Sequence, residues 1–155
     1  MQELHHKLDV LAEVAQRFNS ADITWAVGAS LLLFLHGKTD FFHDIDLIVT
    51  VADAVKARDI LLDLGTFQPP RPNIGYRTKV FEEYIIDGVE LDLMAGMVIV
   101  QDGINHDCSL FPRDITGCTL VNGQKIPLHS LSCWKRYYTL MGRPEKADII
   151  EKSAR

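Results

Sequence analysis

The chain has 155 residues, 47% of them hydrophobic and 24% charged, and carries a net charge of −5 at pH 7, with a mean hydropathy of +0.03 and a pI near 5.6. That composition predicts one ordered globular domain over residues 1–155 and excludes a disordered or low-complexity chain. The acidic balance argues against non-specific nucleic-acid binding, which needs a basic footprint. No apolar run approaches the ~20 residues that a membrane span requires, and Met1–His6 is polar rather than signal-like, so the expected location is the cytoplasm.

Leu4, Leu8, Leu11, Ala15 and Phe18 recur at helical spacing, which predicts an amphipathic helix over 3–19. Asn19-Ser20-Ala21-Asp22 ends it, and Ile23–Val27 reads as a short apolar strand. A small-residue turn, Gly28-Ala29-Ser30, then opens an almost wholly apolar helix running to His36. The next strand starts at His43-Asp44-Ile45-Asp46 and continues to Val49. Residues 52–64 form a helix with Val55, Ile60, Leu61 and Leu64 expected inward. Residues 66–75, rich in proline, read as a loop long enough to line a substrate. Tyr76–Ile86 and Val89–Met94 form a hairpin across Asp87-Gly88. Met97–Val100 continues apolar, residues 102–117 are turn-rich, and Thr119–Ile126 is a second hairpin about Asn122-Gly123. Ser130 caps a helix running to about Met141, and Pro144 starts a last one.

Cys108, Cys118 and Cys133 are odd in number and form no CxxC pair, so they read as unpaired, ordinary thiols. His36 and His43 could ligate zinc beside the aspartates, but a closed zinc site wants more His or Cys ligands, and an outer role for His43 fits better.

The chemistry concentrates in the acidic strands. Side chains two apart on a strand share a face, so Asp44 and Asp46 project together while Ile45, Leu47 and Val49 enter the core. In Val89-Glu90-Leu91-Asp92-Leu93 the same alternation puts Glu90 and Asp92 opposite the apolar face. Carboxylates gathered this way repel one another unless a hard divalent cation lies between them. The small residues at 28–30 allow close backbone approach, and the N–H groups of a helix start suit phosphate. Together these features describe a site for a metal-bound nucleotide.

The chain here resembles the nucleotidyltransferase superfamily that shares the fold core of DNA polymerase β. The signature of that family is a Gly-Ser turn opening a helix, Asp-x-Asp on the next strand and a third Asp on a later one. Ala29-Ser30, Asp44-Ile45-Asp46 and Asp92 match it, with Ala29 standing where the family has Gly beside Gly28. The likeness is to minimal single-domain members related to antibiotic and toxin–antitoxin nucleotidyltransferases. It implies an α/β (α+β) fold with a mixed, mostly antiparallel sheet flanked by helices.

The function implied is transfer of a nucleotidyl group from an NTP such as ATP to an acceptor hydroxyl, with release of pyrophosphate. Asp44, Asp46 and Asp92 would hold two Mg²⁺ ions. Gly28, Ala29 and Ser30 would contact phosphates, and Lys135, first among Lys135, Arg136, Arg143 and Lys146, would reach the triphosphate. Two other readings stay open: a catalytically silent nucleotide-binding or antitoxin-like partner module, and a metal-dependent phosphohydrolase using water. The acceptor is not named by the sequence, and neither is a homodimer or partner protein.

Overall fold

The computed structural model describes residues 2–71 and 75–152, so the 72–74 part of the expected loop lies outside the described residues. Helix α1 (Gln2–Ser20) turns a stripe of Val10, Leu11, Val14, Ala15 and Phe18 toward the sheet, as its periodicity requires. The chain then forms β1 (Trp25–Val27), α2 (Ala29–Leu35), β2 (Ile45–Val49) and α3 (Ala54–Leu64). Strands β3 (Thr66–Phe67), β4 (Val80–Ile86), β5 (Val89–Ala95), β6 (Val98–Gln101), β7 (Ile104–Asp107), β8 (Ile115–Val121) and β9 (Gln124–His129) follow. Helices α4 (Leu131–Leu140) and α5 (Pro144–Glu151) close the described chain.

Seven strands make one sheet in the order β3-β4-β5-β2-β1-β9-β8, while β6 and β7 form a separate ribbon. The β2–β5 and β1–β9 pairs are parallel and the other four pairs of the large sheet antiparallel. The fold is thus α+β with a mixed, mostly antiparallel sheet, as expected. Strand β2 lies in its middle, and Ile45, Leu47, Ile48 and Val49 are each fully buried. Burial of such side chains contributes about 1.5–3 kcal/mol apiece, so the strand that carries Asp46 is also among the most firmly held. Among the described residues no helix is long and apolar enough to cross a membrane.

Three two-residue turns, Asp87-Gly88, Asp102-Gly103 and Asn122-Gly123, have both residues at positive φ. This is the backbone that matches the twist of a hairpin. The turn-rich reading of 102–117 missed the second of them. Strand β7 is polar and mostly exposed, so it carries no alternating apolar signal. Ordered pairing of β4 begins at Val80 rather than Tyr76, which makes an isolated bridge to Ile99. Thr66-Phe67, expected in the loop, instead pairs with Ile85 and Tyr84 as β3. On α3, Ala54, Ala57 and Leu61 face the core, and Val55, expected inward, is 63% exposed.

Candidate functional site

The parallel register of β2 on β5 sets Asp46 directly beside Asp92, just as it sets Ile45 beside Leu91 and Leu47 beside Leu93. The apolar residues of both strands are buried on the core side, so the two acids emerge together on the other. Asp44 immediately precedes β2 and approaches Glu90, one turn of the pleat away from Asp92. Burial, reinforced by the charges of Asp92 and Asp44, drives the Asp46 carboxyl well above the ordinary carboxylate range. Asp92 is pushed up to about 6, first by burial and then by Asp44 and Glu83. Asp44 is raised by burial and by its contact with Glu90. The common sign reflects burial first and then the mutual repulsion of carboxyls crowded into one cleft.

Lys7, which the sequence did not single out, fixes the approach to β2. Its ammonium donates to the carbonyls of Phe42 at 3.0 Å and His43 at 2.9 Å, tying α1 to the segment ahead of Asp44. From the other side, the His43 amide donates to Ser30 Oγ at 3.3 Å.

The turn before α2 is built for tight packing. The Gly28 amide donates to the Asp46 carbonyl at 3.2 Å. A Cβ at Gly28 would fall 2.4 Å from Trp134 Cζ2 and 2.6 Å from Ile48 Cδ1, so glycine is needed here to let the indole close on the turn. Ala29 adopts φ of +52°. Among the described residues the other non-glycine positions with positive φ are Asp22, Asp87, Asp102 and Asn122, all of the type that tolerates that region. Ala29 is the exception, and it occupies the position where the sequence signature has glycine.

Two cavities flank Asp92. The larger, about 490 Å³, is lined by Ala29, Ser30, His43 and Asp46 together with Trp134, Tyr138, Arg143 and Lys146. The smaller, about 470 Å³, is acidic, with Asp44 and Glu90 beside Pro69 and Pro70. Arg71, Glu83 and Asp92 line both. The Arg71 guanidinium forms a bidentate pair with Glu83, at 2.9 Å through Nε and more closely through Nη2. Glu83 in turn sits opposite Asp92 in the β4–β5 register. Arg143 and Lys146 therefore line only the larger cavity, which also holds Asp46, while Asp44 and Glu90 line only the smaller, and the Arg71–Glu83 ion pair borders both.

Of the residues singled out from sequence, Ala29, Ser30, Asp46 and Asp92 line the larger cavity, Asp44 and Asp92 the smaller, and Gly28 neither. Lys135 also lines neither cavity. It is exposed and paired with Glu151, because one step past Trp134 turns a helical side chain about 100° away. Arg143 and Lys146, from the same basic end of the chain, do reach the larger cavity. Burial lowers the pKa of His36, and it lines neither cavity; His43 does line the larger.

The family model described as aminoglycoside-2''-adenylyltransferase matches residues 10–154. A solved Thermotoga maritima protein described as a nucleotidyltransferase superposes with a TM-score of 0.70 at 27% identity, covering 93% of this chain and 89% of its own. The antibiotic-resistance enzyme ANT(2'')-Ia, solved with adenylyl-2''-tobramycin, gives 0.61 at 13% identity over 94% of this chain and 87% of its own. The lincosamide adenylyltransferase LnuA, lincomycin-bound, gives 0.60 at 16% identity over 95% and 96%. The last two likenesses are of fold. No curated protein matches the chain.

Proposed function

Because the chain belongs to the aminoglycoside-2''-adenylyltransferase family, a family of nucleotidyltransferases, we propose that its cleft transfers an adenylyl group from ATP to a hydroxyl of a cationic, antibiotic-like acceptor. The observation that carries this reading is the β2–β5 register, which pairs Asp46 with Asp92 at a cavity that Arg143 and Lys146 also line. The donor set, three crowded carboxyls with raised pKa values, fits Mg²⁺, and Asp44, Asp46 and Asp92 would hold it. Bound there, Mg²⁺ would neutralise charge that develops on the α-phosphoryl group and on the attacking oxygen.

The chain supplies the rest. Lys146 and Arg143, which line the larger cavity, offer charge to the β- and γ-phosphates. Ala29 and Ser30 stand where backbone amides and a hydroxyl can meet phosphate oxygens. The acceptor enters from the acidic cavity, its ammonium groups facing Asp44, Glu83 and Glu90. Its hydroxyl attacks the α-phosphorus as the bond to the pyrophosphate oxygen breaks, and Asp92 takes the hydroxyl proton. The products are adenylylated acceptor and pyrophosphate. The cytoplasm, where ATP and Mg²⁺ are abundant, suits such an activity.

The test is incubation with Mg²⁺ and α-labelled ATP or another NTP, with tobramycin, lincomycin or no acceptor, following label and pyrophosphate separately. Label on an acceptor, abolished by Asp46→Asn, supports the reading. Nucleotide consumed equally without acceptor would make the protein a phosphohydrolase. Binding without pyrophosphate release under every condition would make it a silent module.

A further inference from the structure

Where β9 runs into α4, a histidine and a tryptophan are joined edge to edge. His129 ends β9 and Trp134 lies near the start of α4. Strand pairing sets His129 opposite Ile115. The Ser130 amide donates to the Asp114 carbonyl at 2.8 Å, and the Ser130 hydroxyl caps α4 by accepting from the Cys133 amide at 3.3 Å. Both rings therefore hang from fixed backbone. His129 is fully buried and Trp134 is 2% exposed.

The indole N–H donates to His129 Nδ1 at 3.2 Å. An indole nitrogen is a donor only, so Nδ1 offers a lone pair and the single proton of the ring sits on Nε2. Burial holds the imidazole neutral at pH 7, its pKa pushed down to about 4, so the lone pair persists. Nε2 has no partner among the described residues, and folded interiors rarely leave a donor so. The imidazole therefore serves this corner through Nδ1.

The consequence reaches the cleft along the same edge of the indole. Its Nε1 is bonded to Cε2, and Cε2 to Cζ2. These two carbons are what a Cβ at Gly28 would strike, at 2.6 and 2.4 Å. Turning the indole over about its Cβ–Cγ bond carries the N–H away from His129 and that edge away from Gly28 together. We propose that His129 is a positioning residue for the nucleotide site: by accepting the indole N–H, it holds Trp134 in the orientation that seats the Gly28-Ala29-Ser30 turn. The Gly28 amide donates to the Asp46 carbonyl at 3.2 Å, and Ala29, Ser30 and Trp134 line the larger cavity. The inference rests on the reading that this cavity takes the nucleotide. Without an acceptor at 129 the indole loses its preference between the two orientations, and the turn that meets phosphate loses its support.

Two substitutions separate the acceptor from the bulk. His129→Leu removes it, and His129→Asn keeps an amide oxygen close to where Nδ1 stands. The chain has two tryptophans, so heteronuclear N–H spectra of the ligand-free protein hold two indole signals, which Trp134→Phe assigns. The Trp134 proton should lie downfield in wild type and His129→Asn, and move upfield in His129→Leu. By calorimetry, the Kd for ATP with Mg²⁺ should rise about tenfold in His129→Leu, the worth of one buried hydrogen bond, and stay within about twofold in His129→Asn. In a Trp134→Phe background His129→Leu should weaken ATP no further, because the pair acts as one unit. His129→Phe serves as a second acceptor-free variant should leucine disturb the fold, judged by far-ultraviolet circular dichroism. An unmoved indole signal, equal losses in the leucine and asparagine variants, or full additivity with Trp134→Phe overturns the proposal. A wild type that binds no ATP overturns the nucleotide reading itself, whereas ATP binding indifferent to His129 overturns this inference alone.

Discussion

Replacing Asp92 by Asn should stabilise the metal-free protein, an unusual outcome for a buried polar substitution. In the native state the Asp92 carboxyl titrates near 6 instead of 3.8. A raised pKa means that the folded protein binds its proton more tightly than the unfolded chain does. The associated stability is complete below about pH 4 and is lost as pH rises through about 6. A shift of this size, at 1.36 kcal/mol per unit, corresponds to about 2–3 kcal/mol of strain at pH 7. Asn keeps the shape and removes the charge. At some 2–4 °C per kcal/mol for a chain of this length, the metal-free Tm should rise by about 5–10 °C at pH 7. The gain should shrink to roughly half near pH 5 and vanish below pH 4. Saturating Mg²⁺ with ATP should reverse the order, because ligand at a hundredfold its Kd stabilises the wild type by about 2.7 kcal/mol and the variant much less. Differential scanning fluorimetry across pH, with and without ligand, reads both effects. A metal-free Asp92→Asn protein that melts at or below the wild type at pH 7 would refute the charge-crowding argument.

The positive φ of Ala29 gives a second case with an unexpected sign. Helix propensity alone predicts that Ala29→Gly costs up to ~1 kcal/mol. At φ of +52°, however, relief of left-handed strain should instead stabilise by about 1 kcal/mol, visible as a rise in Tm. Gly28→Ala should lower stability by about 1–3 kcal/mol through its collision with Trp134 and Ile48, read by urea denaturation. Lys146→Ala should raise the KM for ATP at least tenfold, with Lys135→Ala within twofold of wild type, since Lys135 is exposed and paired with Glu151. Equal effects from the two would remove the assignment of Lys146 to the nucleotide.

How legible this protein is from its sequence depends on whether a property travels along the chain or across it. Alternation of Ile45, Leu47 and Val49 with Asp44 and Asp46 is local, and it was enough to predict a strand with an acidic face. The signature glycine position was legible too, but not the backbone it demands; that Ala29 holds a left-handed φ emerges only once α2 is anchored through Ser30 and His43. Gly28 read as room for phosphate, whereas its neighbour is Trp134, remote in sequence. Lys135 and Lys146 are equally basic on paper, and helical phase together with the Glu151 partner separates them. The β6–β7 ribbon was missed because its second strand is polar. His129 and Trp134 were not linked either, since nothing in their spacing marks a strand end meeting a helix start.

The parallel pairing of β2 with β5 has a consequence for how the protein folds. Parallel neighbours cannot be joined by a tight turn, so Asp46 meets Asp92 only after α3, β3 and β4 have been laid between them. The β1–β9 pair, through Val27 and Leu128, spans most of the chain. Contacts of such sequence separation close late and slowly. In the unfolded chain Asp44 and Asp46 are two carboxylates on a flexible tether, and the third donor is distant. A divalent ion therefore has little to hold until the sheet is complete. It cannot template this fold during synthesis. An ion held there as proposed would slow unfolding while leaving the folding rate nearly unchanged, a latch on a finished structure.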